Sequence, residues 1–393
     1  MVYRTGLLVV TLGLLLLAQQ AVAIPAFARK YDMSCNTCHA PIPKLKPFGN
    51  TFAGNGFQLE GKEPPRYFKD TGDEWLQLMR EVPLALRMDG QIAWEPQSTG
   101  KTDFQAPWLL KILSGGQIAT DISYYFYFFF SEQGEVVGIE DAFLMFNNVF
   151  GVDFDITVGQ FQVCDPMFKR ELRLTRSDYL AYKLRPGLSN IDMTYDRGIS
   201  LSLGLSEGTS FLISGLNGSG IGPLEQGAFD RDKYKNLMVR VLQEVGESFR
   251  IGGFAYFGKE EGVNGTVTGV NSLWMAGPDM SVSLGRVELN VQYVERRDDN
   301  PEFLGPLDKK AASRGTFVEI VYTPDSDESR WHGVLLWNWG ESDVVLQDYG
   351  RKYQTGAVHI SYLLRRNLRL TGEYGYDFLN KANSVSVGFV SAF

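Results

Sequence analysis

The chain has 393 residues with a formal net charge of -8, 13% aromatic residues and 42 glycines. The acidic balance argues against a nucleic-acid partner and admits cationic ones, metal ions included. The residue mix is too polar for a helical membrane protein and rich in strand and turn formers, which favours β structure.

Residues 1–23 read as an export signal. Arg4 supplies the positive start, Gly6 to Ala18 an apolar core of signal length, and Ala21-Val22-Ala23 the small-residue cleavage pattern, so the mature chain is expected to begin at Ile24. The alternative is a membrane anchor. Gln19-Gln20 interrupts the apolar run before it reaches the roughly 20 residues that a helical span requires.

The segment 24–81 carries the chemistry. Cys35-Asn36-Thr37-Cys38-His39 is the C-x-x-C-H pattern of c-type haem attachment. Two thiols on one turn can each add to a haem vinyl group, while the adjacent imidazole reaches one face of the iron. Cys35 and Cys38 are therefore the expected covalent anchors, and His39 the expected proximal ligand to the haem iron. A redox dithiol and a zinc half-site are the alternatives. The sequence has no second Cys/His pair to complete a zinc tetrahedron. Cys164, the third cysteine, reads as an inert small residue. About 58 residues give a marginal core on their own, so this segment is expected to borrow apolar contacts from the haem and from the rest of the chain.

From 82 to 393 the hydrophobic period is two. Ile199, Leu201, Leu203 and Leu205 alternate with Ser200, Ser202, Gly204 and Ser206. Leu368, Leu370, Tyr374, Tyr376 and Phe378 alternate with Arg369, Thr371, Glu373 and Asp377. Such a pattern suits a soluble sandwich or an outer-membrane barrel, and the loops choose between them. Strands are predicted near 84–95, 106–113, 117–131, 138–148, 152–162, 197–206, 209–217, 233–244, 247–258, 270–283, 285–297, 313–324, 331–341, 351–364, 366–378 and 382–393. Tight turns at Ser114-Gly115-Gly116, Glu207-Gly208, Val245-Gly246 and Arg365 alternate with long polar connections at 163–196, 218–232, 259–269 and 298–312. The expected fold is therefore all-β: an antiparallel outer-membrane barrel of about sixteen strands, preceded by a short, mainly helical or irregular haem segment. Tyr124 to Phe130, with Trp331, Trp337 and Trp339, fit membrane-interface girdles, and the final Phe393 resembles the terminal aromatic of bacterial outer-membrane barrels.

Several residues remain candidates for the sixth iron ligand: Met79, His332 and His359, or none. The register places His359 with Ser361 on the lumen side, opposite Val358 and Ile360. Glu373 and Asp377 are hard oxygen groups of the kind that weakly hold a divalent cation, and they are expected near the outer end of their strand. In 163–196, Lys169, Arg170, Arg173, Arg176, Lys183 and Arg185 are interleaved with Asp165, Glu171 and Asp178. That loop reads either as a charged constriction or haem-propionate seat inside the lumen, or as a solvated outer loop.

Taken together, Ile24 to Arg29, the Cys35–His39 motif, Pro43-Lys44-Leu45, Phe48-Gly49 and a porin-like barrel resemble the fused monohaem cytochrome–porins of iron-oxidising bacteria. The resemblance implies one covalent haem c, an outer-membrane location, and a haem segment that plugs or enters the barrel. It also implies electron exchange with extracellular Fe(II) or another extracellular metal, with a periplasmic c-type cytochrome as partner. Related porin-like proteins of metal-respiring bacteria run electrons outward, so direction stays open. A diffusion porin with a structural or gating haem is the competing class. Ser-His-Asp sets, phosphate loops and paired-carboxylate motifs do not stand out, which lowers hydrolase and kinase readings.

Overall fold

The computed structural model describes residues 26–59, 68–73, 75–76, 78–80, 82–97, 101–205, 208–224, 227–230, 232–246, 248–305 and 310–393. The export-signal reading of 1–23, with Ile24 after it, lies outside the described residues.

Three short helices open the described chain: α1 (Ala26–Tyr31), α2 (Cys35–Cys38) and α3 (Pro47–Gly54). Pro47 starts α3 at a position whose N–H has no helical acceptor, so its missing donor costs nothing there. A ribbon of β1 (Phe68–Lys69) and β2 (Leu78–Met79) follows, with Phe68 opposite Met79. No described helix is long and apolar enough to cross a membrane.

The remaining strands form a closed antiparallel barrel, each paired with its neighbour in sequence. They are β3 (Leu84–Trp94), β4 (Thr102–Ala119), β5 (Ile122–Glu132), β6 (Gly138–Phe146), β7 (Phe154–Gln162), β8 (Tyr195–Gly204), β9 (Thr209–Leu216) and β10 (Asn236–Val245). The series continues with β11 (Phe249–Asn264), β12 (Val267–Leu284), β13 (Val287–Asp298), β14 (Ala311–Tyr322), β15 (Trp331–Leu346), β16 (Gly350–Arg365), β17 (Leu368–Asp377) and β18 (Ala382–Ala392). These are sixteen strands, as the periodicity predicts. The ring closes where β18 pairs with β3, and Phe393 extends that seam by exchanging both backbone hydrogen bonds with Leu86 at 2.6 and 2.9 Å. Closure matters physically, because a sheet in lipid has no water to satisfy an open edge.

Side chains alternate as expected. Ile199, Val358 and Ile360 face outward and exposed, while Ser200, His359 and Ser361 are buried inside. Trp331 is exposed on the outer wall. The aromatic run at 124–130 divides: Phe130 is exposed outside, but Tyr127 and Phe129 are buried in the lumen, so only half of that run belongs to an interface girdle.

Two predicted connections are corrected. Ser114-Gly115-Gly116 is no turn, since β4 runs through it and the chain reverses at Thr120-Asp121 instead. The glycines serve a close approach: a Cβ on Gly115 would lie 2.9 Å from Tyr125 and 3.2 Å from both Phe27 and Phe57. The segment 259–269 is no loop, because β11 and β12 stay paired to Asn264↔Val267. Its polar residues mark the strands' emergence into water, where the ladder continues.

The turns at 120–121, 285–286 and 366–367 lie at the same end as Leu84 and Phe393. Porin topology assigns that end to the periplasm. The third connection at the other end, 163–194, turns back into the lumen. Its Met167, Phe168, Tyr179, Tyr182 and Leu184 pack with Met238, Phe254, Tyr256, Phe317 and Leu336 of the barrel wall in one apolar cluster. Tyr179 stacks on Phe317 with ring centroids 4.2 Å apart, and Phe168 meets the same ring edge-on at 5.4 Å. Each such aromatic pair adds about 0.5–1.5 kcal/mol beyond its burial.

Candidate functional site

The C-x-x-C-H motif occupies one tight unit. Cys35 and Cys38 begin and end α2, the His39 N–H closes it onto the Cys35 carbonyl at 2.9 Å, and Lys46 N–H bonds the Cys38 carbonyl at 2.9 Å. α3 crosses directly behind this turn. A Cβ at Gly49 would overlap the Cys38 carbonyl, so only glycine permits the crossing.

His39 Nδ1 lies 2.9 Å from the Pro43 carbonyl. A carbonyl accepts only, so Nδ1 carries the proton and the Nε2 lone pair is left free. Burial pulls the imidazole below the ordinary histidine range, against the pull of the Pro43 and Lys44 backbone. That is the tautomer of a metal-ligating histidine held by a second partner. Both cysteines are free thiols, and burial raises each above its usual range. The residues present fit a covalent haem: Cys35 and Cys38 would carry its thioether links and His39 Nε2 its iron.

The unit is docked into the periplasmic mouth of the barrel at several points. Lys44 Nζ reaches Glu288 Oε2 of β13 at 2.7 Å. Asn36 Nδ2 donates to Glu328 Oε1 at 3.3 Å, while Arg366 Nη2 holds Glu328 Oε2 at 2.8 Å, so one carboxylate ties the motif to the β16–β17 turn. Lys46 also pairs with Asp327. On the far side Phe27, Phe57 and Tyr125 stack in series, at 4.8 and 4.9 Å between ring centroids. Asn147 Nδ2 donates to the Gly54 carbonyl at 3.3 Å. The segment thus bridges opposite walls of the mouth.

Above it, a cavity of about 590 Å³ lies between the third outer loop and the β3, β4, β16, β17 and β18 wall. Cations and carboxylates meet there: Arg87 with Asp89 at 2.6 Å, Arg170 and Lys183 each with Asp178 at 2.8 Å, and Lys111 with Glu171 at 3.6 Å. Of the two readings of 163–196, the lumenal one is the observed one. Cys164 is fully buried within it.

The other candidates separate. His332 and His359 both line the lumen on β15 and β16, with His332 opposite Ser361 in register. Met79 sits in the β1–β2 ribbon, before the barrel. Glu373 and Asp377 do not make a joint cation site. Glu373 accepts Arg176 N–H at 2.6 Å, Ser177 N–H at 2.9 Å and Ser177 Oγ–H at 2.7 Å, which fastens the third loop to β17. Asp377 caps the outer turn by accepting the N–H groups of Leu379 and Asn380 at 2.9 and 3.0 Å. Among the described residues, no group of three or more His, Cys, Asp and Glu side chains could hold a metal ion. Sequence reasoning missed Glu288, Glu328 and Gly115, whose roles depend on contacts more than a hundred residues away or on empty space.

No protein-family model matches the chain, and no curated protein matches it. Among solved structures it is similar to an anion-selective porin from Comamonas acidovorans, with a TM-score of 0.58 and 10% identity over 80% of this chain and 99% of that one. It is similar also to OmpF of Salmonella typhi in complex with daunomycin (TM-score 0.55, 13% identity, 81% of this chain, 98% of that one). OprB of Pseudomonas putida matches at a TM-score of 0.54 with 11% identity, over 79% of this chain and 94% of that one. At these identities the likeness is one of fold, that of an outer-membrane porin barrel.

Proposed function

We propose that this chain is an outer-membrane electron-transfer protein: a porin-type barrel that carries one covalent haem c at its periplasmic mouth, takes electrons from extracellular Fe(II) and passes them to a periplasmic c-type cytochrome. The observation that carries the reading is His39 held through Nδ1 by Pro43, with Nε2 free, in a C-x-x-C-H turn docked across the mouth. When bound, the haem supplies a one-electron couple on iron.

The chain's own residues do the rest. Lys44, Asn36 and Lys46 fix the motif to β13 and to the turns at 323–330 and 366–367, so the redox centre is held at one rigid place rather than on a tether. The bilayer core is about 30 Å thick, and a fixed centre at the inner mouth leaves Fe(II) to approach through the outer half of the barrel. The carboxylates of that passage, Asp89, Glu132, Glu171 and Asp178 among them, offset its arginines and lysines and keep it passable to a cation.

A second reading has its own support. The porin likeness and the charged cavity suit a diffusion pore with a structural or gating haem. Two measurements separate them. Purified haem-loaded protein mixed with Fe(II) under anoxic conditions should show the ferrous haem bands, and the same protein in planar bilayers should conduct poorly, since the third loop packs inside the lumen and the N-terminal segment crosses the periplasmic mouth. Large steady conductance with a haem that Fe(II) does not reduce would favour the pore.

A further inference from the structure

Arg369 stands apart from the other lumenal arginines. It is 2% exposed, its Nη2 donates to the Leu174 carbonyl at 3.3 Å, and its Nε and Nη1 have no partner. The carboxylates around it are already engaged: Asp89 takes two bonds from Arg87, at 2.6 and 3.0 Å, and Glu373 takes three from the third loop. A buried guanidinium whose nearby carboxylates, Asp89 and Glu373, are each bonded to other groups is unfavourable, because its desolvation is only partly offset.

Neighbouring side chains also carry unpartnered buried atoms: His332 Nδ1, Ser361 Oγ and His359 Nε2, the other His359 nitrogen, Nδ1, lying 3.1 Å from Glu373 Oε2. They form one patch of wall. Ser361 lies opposite His332 on β15 and opposite Thr371 on β17, two residues from Arg369 on the same face. Arg369 and His359 line the cavity above the haem motif. The patch also lies close to the motif, because Arg369 follows the 366–367 turn whose Arg366 shares Glu328 with Asn36. Arg366 acts electrostatically on Cys35, and Arg87 on His39.

We propose that Arg369 and Ser361, flanked by His332 and His359, form an anion site for a carboxylate. Guanidinium N–H groups and a hydroxyl present the directed donors that a carboxylate accepts, and a charge-assisted pair would neutralise Arg369. Two sources supply that chemistry. One is a propionate side chain of a haem held at Cys35 to His39, which rests on the haem reading; the other is a small carboxylate that diffuses in through the barrel, which does not.

The test uses the holoprotein, its Arg369→Gln and Arg369→Lys variants, and a Cys35→Ala, Cys38→Ala variant, with acetate replacing chloride at constant ionic strength as the probe. If a propionate fills the site, acetate leaves the holoprotein's unfolding temperature unchanged but raises that of the haem-free variant, and adding Arg369→Gln abolishes the rise. In the holoprotein Arg369→Gln then lowers the haem midpoint potential, because a cation that opposes the oxidised centre is gone, and Arg369→Lys restores most of it. If the anion is a free one, acetate stabilises both forms, Arg369→Gln removes both effects, and the potential does not move. Should the cysteine variant fail to fold, the potential and the holoprotein's acetate response still decide. Absence of covalent haem from the wild-type protein would end the haem reading alone, and the acetate response of that haem-free protein would still judge the anion site. No acetate response in any form, together with an unmoved potential in Arg369→Gln, overturns the proposal.

Discussion

Lys44, in the segment that precedes the barrel, and Glu288 at the start of β13 form an ion pair of 2.7 Å at the periplasmic mouth, with each side chain about a quarter exposed. Glu288 also accepts from Asn290 Nδ2 at 2.9 Å, so the carboxylate is held in place for Lys44. Glu288→Gln should therefore weaken docking by about 1 kcal/mol, the range of a partly screened pair. Limited proteolysis within 26–59 should become faster and less salt-dependent than in the wild type, because the pair that salt screens is gone, while the far-ultraviolet β signal of the barrel is unchanged. Unchanged cleavage would show that the pair adds nothing to docking.

Gly115 gives a sharper handle on the same contact. Gly115→Val places new carbon atoms against Phe27, Phe57 and Tyr125, which stand 2.9–3.2 Å from the first of them. Overpacking of this kind costs about 1–3 kcal/mol. The aromatic stack should part, and the tyrosine near-ultraviolet circular dichroism should fall while the far-ultraviolet β signal persists.

Covalent attachment has a direct check. Cys35→Ala or Cys38→Ala should each abolish haem-stained protein of mature size, because each thiol supplies one thioether link. Full haem staining in the double variant would exclude the assignment.

The third loop is held in the lumen by packing on Phe317, a fully buried ring stacked on Tyr179. Phe317→Ala should cost about 3–5 kcal/mol, the usual range for emptying a buried phenylalanine site. With the loop loosened, single-channel conductance should rise and flicker. A variant that conducts like the wild type would mean that the loop is held mainly by its polar ties, those to Glu373 and those to Asn338, which accepts Leu180 N–H at 3.1 Å and donates to the Asp178 carbonyl at 3.0 Å.

Much of this architecture is legible in the sequence because a barrel wall enforces a period of two. Lipid on one side and a polar lumen on the other fix the faces of His359, Ser361, Val358 and Ile360 without reference to any distant contact. The C-x-x-C-H motif is legible for a similar reason, since its chemistry is local. Ser114-Gly115-Gly116 misleads because glycine marks turns and close approaches alike, and here Phe57 from a separate segment decides. The polar residues at 259–269 mislead because polarity tells where water begins, not where a strand ends. The lumenal entry of 163–194 and the isolation of Arg369 depend on which carboxylate each arginine meets, and periodicity carries no such information.

On the proposed function, electrons cross this barrel between an extracellular donor and the periplasmic side through a haem held at Cys35 to His39. Haem-loaded protein would be inserted with its 120–121 and 366–367 turns facing the interior of sealed vesicles that hold oxidised soluble cytochrome c. Fe(II) added outside under anoxic conditions should reduce the trapped cytochrome c at a rate proportional to the haem-loaded protein, and vesicles with the Cys35→Ala, Cys38→Ala variant should show only the leak. If the trapped cytochrome c stays oxidised while its pre-reduced form readily reduces the barrel's haem, electrons run outward, and the account of an Fe(II)-oxidising protein is contradicted.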